Sequence, residues 1–190
     1  MSQRTSQRRK RKSIDKDTEI VIANNTYGMF VWESRSGDMS IELNEHGDEE
    51  YVSYRELRQL KKYLANMKLV ITAVNDDDVS IMDVARGLRI DDVYLEYFDL
   101  VEELNEEEAN EKDEIVIDDF EDFIIDSDVD EFEEALKSKM RPTVINTSVE
   151  LYKTGQLVNR DKTKLIQKTR PKDVREDFWS DIEATFDEDR

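Results

Sequence analysis

Apolar and polar residues alternate in the first third of the chain, and this pattern predicts short β-strands. Residues 19–25 (EIVIANN) place Ile20 and Ile22 on one face, and residues 29–34 (MFVWES) and 39–43 (MSIEL) show the same period of two. A short turn containing Gly37 separates the last two segments, which predicts a β-hairpin. Residues 68–74 (KLVITAV) predict a further strand.

The period changes to that of a helix after Tyr51. Ser53 and Glu56 form the Ser-x-x-Glu pattern of a capping box, and Leu57, Leu60 and Leu64 follow on one helical stripe. The stretch from Asn44 to Leu60 therefore predicts a corner at which a strand leads into a helix that packs on the sheet.

The remaining two thirds predict several short helices. Their expected ends are set by capping and breaking residues: starts at Ser80, Asp91–Asp92, Asp130 and Asp161, and stops at Gly87, Arg141–Pro142, Gly155 and Pro171. The expected fold class is α+β, with a small N-terminal β-sheet domain carrying one packed helix, an acidic linker and a small helical C-terminal domain. The expected boundaries are an arm at 1–17, the α+β domain at 18–74, a helical extension at 75–104, an acidic linker or docking segment at 105–129 and the helical domain at 130–190.

The distribution of charge separates a basic N-terminal segment from the acidic remainder of the chain, a difference that the hydrophobic pattern does not show. The chain carries 47 acidic and 28 basic residues, a net charge of −19, and 37% hydrophobic residues. Such an acidic total opposes wrapping of nucleic acid by the whole surface and allows binding to a basic partner. Residues 1–17 are basic instead and predict a flexible arm that docks on DNA or on an acidic protein surface, which a neighbouring copy could supply. The residues expected to make that contact are Arg8, Arg9, Lys10, Arg11 and Lys12.

The acidic segment contains more apolar residues than a solvated linker needs. Residues 115–128 are therefore expected to pack on their own domain or on another chain, for example as a strand added to a sheet edge. The residues expected to make this contact are Phe120, Phe123, Ile124 and Ile125.

No pattern in the chain predicts an enzyme, a metal site or a cofactor. There is no cysteine, and His46, the only histidine, lies among acidic residues around Gly47, where turn chemistry explains the stretch better than a metal site does. Asp126, Asp128 and Asp130 alternate like calcium ligands, but the central glycine of an EF-hand loop is missing. Carboxylate pairs such as Asp118 and Asp119 arise by chance in so acidic a chain.

Two nucleic-acid readings are weaker than their structural alternatives. The aromatic residues of the first domain could stack on bases, but alternation into a core explains them better: they are Phe30, Trp32, Tyr51 and Tyr54. The helices around Gly87 suggest a helix-turn-helix, yet the second is acidic and a DNA groove would repel it. No stretch approaches the ~20 apolar residues that span a bilayer.

Residues 23–64 resemble a group of small proteins of tailed bacteriophages. The likeness lies in an Asn-Asn-Thr start, an acidic Gly turn and a Tyr-x-Glu-Leu helix start: Asn24, Asn25 and Thr26, then Gly47, Asp48 and Glu49, then Tyr54, Glu56 and Leu57. The resemblance implies a non-enzymatic structural or assembly role in the virion, as a head-associated minor, decoration or connector-type protein.

The expected partners are other virion proteins, among them major capsid or portal proteins, bound in multiple copies without a membrane in a particle assembled in the host cytoplasm. Two alternatives stay open. One is an acidic DNA mimic that regulates a host nucleic-acid enzyme, and the other is a nucleic-acid-binding protein that uses the basic arm and the basic helix at 160–170.

Overall fold

The first strand of the chain is the middle strand of a small antiparallel sheet. A computed structural model describes residues 12–188. The strands are β1 (Glu19–Asn24), β2 (Phe30–Glu33), β3 (Ser40–Leu43), β4 (Glu49–Ser53) and β5 (Leu69–Val74). Strands β4, β1 and β5 form one sheet in that order, and β2 and β3 form a separate hairpin. The predicted hairpin and strands are confirmed, and β4 is an additional strand at the predicted corner.

Nine helices are assigned within the described residues. They are α1 (Tyr54–Ala65), α2 (Ile81–Leu88), α3 (Asp91–Val101), α4 (Glu106–Ala109), α5 (Asp119–Asp126), α6 (Val129–Ala135), α7 (Arg141–Lys153), α8 (Arg160–Lys168) and α9 (Phe178–Glu188). An N-terminal sheet with a packed helix followed by a mostly helical region is the α+β class that the sequence predicts. The fold class is confirmed.

Helix α1 begins where the sequence predicts. The Ser53 side chain accepts a hydrogen bond from the Glu56 backbone N–H, and the Glu56 carboxylate accepts one from the Ser53 N–H at 2.8 Å. The three leucines of the stripe are fully buried. The capping box and the apolar face are both confirmed.

A hydrogen bond from β5 to Tyr94 joins the sheet to α3. The pairing of β1 with β5 shifts register between Val21 and Ile22. Nearby, the Ile71 N–H donates a hydrogen bond to the Tyr94 hydroxyl at 3.0 Å. Tyr94 is fully buried, and burial raises the pKa of its phenol. The hydroxyl fixes α3 on the sheet by satisfying a backbone donor in the interior.

Several predicted helix ends differ in the structure. Gly87 lies inside α2, which ends instead at Arg89 in the left-handed conformation (φ 61°). Pro142 is the second residue of α7, in the first turn, where its missing N–H costs no helical hydrogen bond, and it does not end the preceding helix. The predicted caps at Asp91–Asp92, Asp130 and Asp161 are replaced by residues just before them: Ile90, Asp128 and Asn159. Gly155 takes the predicted positive φ of 76°.

The segment predicted as an acidic linker lies on the sheet. Asn105 caps the short helix α4, Glu114 forms a β-bridge with Ala73, and the Ile115 N–H donates to the Thr72 carbonyl at 2.8 Å. Its apolar side chains are buried against the core of the same chain. This burial stabilises the fold, because a free linker would leave the same apolar area exposed to water. The expected packing of 115–128 therefore occurs within the chain.

This packing changes the predicted partner contacts. Phe120 is 3% exposed and Ile124 is fully buried, so neither presents a surface to a partner. Phe123 and Ile125 are partly buried and pack on the same core. Phe120 and Ile124 are therefore core residues in the structure and not the partner contacts that the sequence predicts, because their apolar surface is already buried by folding.

The end of the predicted arm is docked rather than free. The Arg55 N–H donates to the Lys16 carbonyl, and the Arg55 guanidinium pairs with Asp17 at 2.8 Å. Ile14 packs against the core, and Lys12 Nζ lies 3.8 Å from Asp83 Oδ2. Arg8, Arg9, Lys10 and Arg11 lie outside the described residues, so their predicted contacts stay predictions.

One cluster of buried residues joins the sheet to the helices. It runs from Ile20 in β1 to Ile166 in α8 without a break at the predicted boundaries. The division into domains stays a prediction. No helix within the described residues combines the length and the apolar character that crossing a membrane requires.

Candidate functional site

Asn24, at the end of β1, organises the loops that shape the site. Its side chain is fully buried and donates to the carbonyls of Gly28 and Glu45, each at 2.9 Å, while its Oδ1 accepts from Thr26. The Gly47 N–H donates to the Asn24 carbonyl. Asn24 thus ties the β1–β2 loop to the β3–β4 turn.

Asn25 ties the β1–β2 loop to the turn between α1 and β5. Its side-chain amide donates to the Met67 carbonyl at 2.8 Å, and its backbone N–H donates to the Lys68 carbonyl. Met67 has a φ of 51°, a conformation that non-glycine residues seldom adopt. The Asn-Asn-Thr stretch is therefore a scaffold that holds three loops together.

These loops bring together Tyr27, His46 and Glu121, three residues that are distant in sequence. The rings of Tyr27 and His46 stack with centroids 4.5 Å apart and planes 8° from parallel. The Tyr27 hydroxyl donates to Glu121 Oε1 at 2.7 Å, and His46 Nε2 lies 3.4 Å from the same oxygen. Burial raises the pKa of the Tyr27 phenol, and Glu121 raises it further.

The contacts among Tyr27, His46 and Glu121 hold parts of the fold together. Glu121 lies at α5, so the hydrogen bond fastens α5 to the two loops. His46 Nδ1 and Nε2 are buried and form no hydrogen bond, because the contact with Glu121 lacks hydrogen-bond geometry. Among residues 12–188, no group of three or more His, Cys, Asp or Glu side chains is arranged to hold a metal ion.

An open cleft of about 700 Å³ lies beside Tyr27, between these loops and the C-terminal helices. We call it the α7–α9 cleft, and its volume is within the range usual for ligand sites. The β1–β2 loop and the α1–β5 turn form one side, and α7, the end of α8 and α9 form the other. Its lining residues are Asn25, Thr26, Tyr27, Asn66, Met67, Lys68, Pro142, Thr143, Asn146, Val149, Glu150, Arg170, Phe178 and Ile182.

Arg170 is the most unusual side chain in this cleft. Its guanidinium lies over the Phe178 ring, 4.3 Å from the centroid, and its Nε is buried without a hydrogen-bond partner. Within the described part of the chain, no carboxylate pairs with it. Burial lowers the pKa of the Arg170 guanidinium, and the positive charge of Arg141 acts in the same direction. Arg170 differs from exposed arginines such as Arg58 and Arg89 because it is partly buried and has no carboxylate partner among the described residues.

The rest of the cleft combines apolar and amide surface. Val149, Phe178 and Ile182 supply apolar groups, and Asn66 and Asn146 supply amides that both donate and accept hydrogen bonds. The carboxylate of Glu150 accepts from Lys153 at 2.9 Å. The cleft therefore offers a cation, hydrogen-bonding groups and an apolar wall.

A second cationic surface lies at the other end of the N-terminal unit. Arg58, Lys61 and Arg89 line a depression of about 360 Å³ beside Gly87 and Leu88. Gly87 is needed here because a Cβ atom would lie 2.3 Å from the Tyr54 hydroxyl. All three cations are exposed, which distinguishes them from the partly buried Arg170.

The basic helix predicted at 160–170 does not present its charges together. Lys162 is fully buried, and its ammonium donates to the carbonyls of Ile124 and Ile125 and to the Ser127 hydroxyl, at 2.9, 3.0 and 3.1 Å. Burial lowers the pKa of Lys162. Lys164 pairs with Asp161 at 3.0 Å. The predicted cationic face is thus partly used to hold α5.

The four aromatic residues considered for base stacking are divided between β2, which carries Phe30 and Trp32, and the β4–α1 corner, which carries Tyr51 and Tyr54. Phe30 is buried and meets Tyr63 edge to face, whereas Tyr51 lies in the other sheet and is 62% exposed. Sequence reasoning missed the α7–α9 cleft because its walls come from loops and helices at least 74 residues apart, between Lys68 and Pro142. Within the sequence, the only sign was an arginine directly before Pro171, next to a helix rich in aromatic residues.

Comparisons with known proteins identify no relative. No protein-family model, no curated protein and no solved structure matches the chain significantly.

Proposed function

We propose that this chain is a non-enzymatic structural or assembly protein of a tailed-bacteriophage particle and acts through protein–protein contacts at the α7–α9 cleft. The observation that carries the proposal is the cleft itself, in which an arginine without an acidic partner lies beside apolar and amide groups. Protein interfaces favour this combination, with arginine and aromatic residues at their centres.

The family likeness supports the same proposal. The residues that carry it, Asn24, Asn25 and Thr26, fix the loop that forms one wall of the cleft. A motif that shapes a binding surface is compatible with a protein that works by contact. In a particle with many copies, avidity would strengthen weak individual contacts at this cleft.

Purified particles provide the test. Mass spectrometry of particles banded in a density gradient should find the chain in multiple copies. An Arg170→Glu variant expressed from the phage genome should be incorporated at least tenfold less. An Arg160→Glu variant is the matched control, because Arg160 is an exposed arginine on α8 away from the cleft.

The particle result can reject the proposal. If the chain is absent from particles while it accumulates in the infected cell, the structural role is wrong. If Arg160→Glu reduces incorporation as much as Arg170→Glu, the cleft is not the contact site.

A further inference from the structure

We propose that the α7–α9 cleft binds an acidic peptide segment of a partner protein, with an Asp or Glu side chain at Arg170 and a neighbouring apolar side chain on Phe178 and Ile182. This inference rests on the proposed function and adds the chemistry of the partner.

Arg170 supplies the specificity for a carboxylate. Its guanidinium donates no hydrogen bond within the described structure; the Nε is buried, which leaves the two Nη groups as the donors that a ligand can reach. A guanidinium presents its N–H groups in a planar fork that matches a carboxylate and binds it through two parallel hydrogen bonds. The contact with Phe178 holds the side chain in place, so little conformational entropy is lost on binding.

The apolar residues of the cleft explain why the proposed peptide carries an apolar side chain beside its carboxylate. Val149, Phe178 and Ile182 line the cleft next to Arg170. A ligand with a charge alone would leave this surface in contact with water. A segment that places an apolar side chain beside its carboxylate covers both.

Amide groups on the rim favour a peptide. Asn66 of the α1–β5 turn and Asn146 of α7 both line the cleft, and their amides can bond to the N–H and C=O groups of an extended chain. A nucleic acid is disfavoured, because a polyanion would meet the net charge of −19 and the Glu150 carboxylate at the cleft. A short peptide with one or two carboxylates meets far less repulsion.

Fluorescence anisotropy tests the inference on the full chain. The probe is a fluorescein-labelled, C-terminally amidated peptide Gly-Phe-Glu-Leu-Gly, and its counterpart replaces the glutamate with glutamine. We expect the glutamate peptide to bind at least tenfold more tightly than the glutamine peptide. This comparison changes only the ligand, so a loss of folding cannot produce it.

Protein variants locate the contact. Arg170→Gln should remove the preference for glutamate, and Arg160→Gln should keep it. Arg170→Lys should retain part of the preference, because charge remains while the fork is lost. Far-UV circular dichroism of each variant checks that the fold is intact.

Other outcomes overturn the inference. Equal binding of the two peptides, or no binding of either, contradicts carboxylate recognition. A single-stranded oligonucleotide that binds wild type but not Arg170→Gln would assign the cleft to nucleic acid. Failure of peptide binding with normal particle incorporation rejects this inference alone, whereas peptide binding with absence from particles rejects the proposed function.

Discussion

At the scale of single residues, Lys162 has the most demanding environment in the molecule. It lies fully buried, with its three N–H groups on two carbonyls at the end of α5 and one hydroxyl, and its ammonium lies 5.4 Å from the Phe132 ring centroid. The C-terminus of a helix carries partial negative charge, which a cation stabilises. Lys162 therefore fastens the acidic segment to α8.

Replacing Lys162 should destabilise the chain strongly. Lys162→Met keeps most of the side-chain volume but leaves two carbonyls without their donor, and each buried unsatisfied acceptor costs roughly 1–3 kcal/mol. We expect a loss of about 3 kcal/mol in the free energy of unfolding, measured by urea denaturation. Lys164→Met should change it by less than about 1 kcal/mol, because that exposed pair contributes little. Equal losses would contradict the assigned role.

The sequence could not reveal this residue. Lys162 belongs to a run of basic residues that reads as a solvated face, and its partners lie 35 to 38 positions earlier. Asn24 and Arg170 are similar cases, because the loops and helices around them are set by tertiary packing. His46, in contrast, was predicted as part of a turn, and its neighbour Gly47 takes the positive φ of 82° that such a turn needs.

At the scale of elements, local chemistry predicted where α1 begins. Ser53 and Glu56 satisfy each other's backbone donors, and the Ser53 hydroxyl lowers the pKa of the Glu56 carboxyl first of all, with its backbone N–H adding to the effect. The predicted helix boundary was wrong where two candidate capping residues were close together, as at Asp128 and Asp130. The side chain that reaches two free N–H groups at once becomes the cap.

Loss of the capping box should have a pH-dependent cost. Ser53→Ala should lower the free energy of unfolding by about 1 kcal/mol at pH 7. The folded pKa of Glu56 lies below its ordinary value near 4.5, so its contribution is present above that value and is lost as the pH falls through the folded pKa. The difference between variant and wild type should therefore shrink at pH 3.

Urea denaturation at the two pH values measures this effect. Ser13→Ala is the control, because Ser13 is an exposed serine outside any helix or strand. A cost for Ser53→Ala that is the same at pH 7 and pH 3 would mean that Glu56 takes no part in the cap.

At the scale of the whole molecule, the sequence predicted the fold class, but it did not predict that the sheet and the helices share one buried core. The change from alternating to helical periodicity predicted the α+β arrangement. The acidic composition of 105–129 suggested a linker, because composition does not show which apolar residues find a partner. In the structure Ala109, Ile115, Phe120 and Ile124 are buried in the core shared by sheet and helices.

A shared core should unfold as one unit. We expect far-UV and near-UV circular dichroism to report the same midpoint in urea, because loss of either half exposes the buried face of the other. Two separate transitions would support the predicted domain boundaries at 75 and 130 instead. Far-UV ellipticity follows mainly the helices, and near-UV ellipticity follows aromatic residues such as Tyr94 and Phe98 in the core.

The edges of the sheet also determine how copies of the chain behave when they meet at high concentration. One outer strand, β5, is partly covered by Ile115. The other outer strand, β4, carries the exposed Glu50, whose carboxylate accepts a hydrogen bond from the neighbouring Tyr51 N–H at 3.2 Å. An open strand edge invites pairing with another chain, and charge on that edge opposes it. Two copies meeting along β4 would each have to place a Glu50 carboxylate against the edge of the other, so this charge opposes uncontrolled fibre growth at high local concentration.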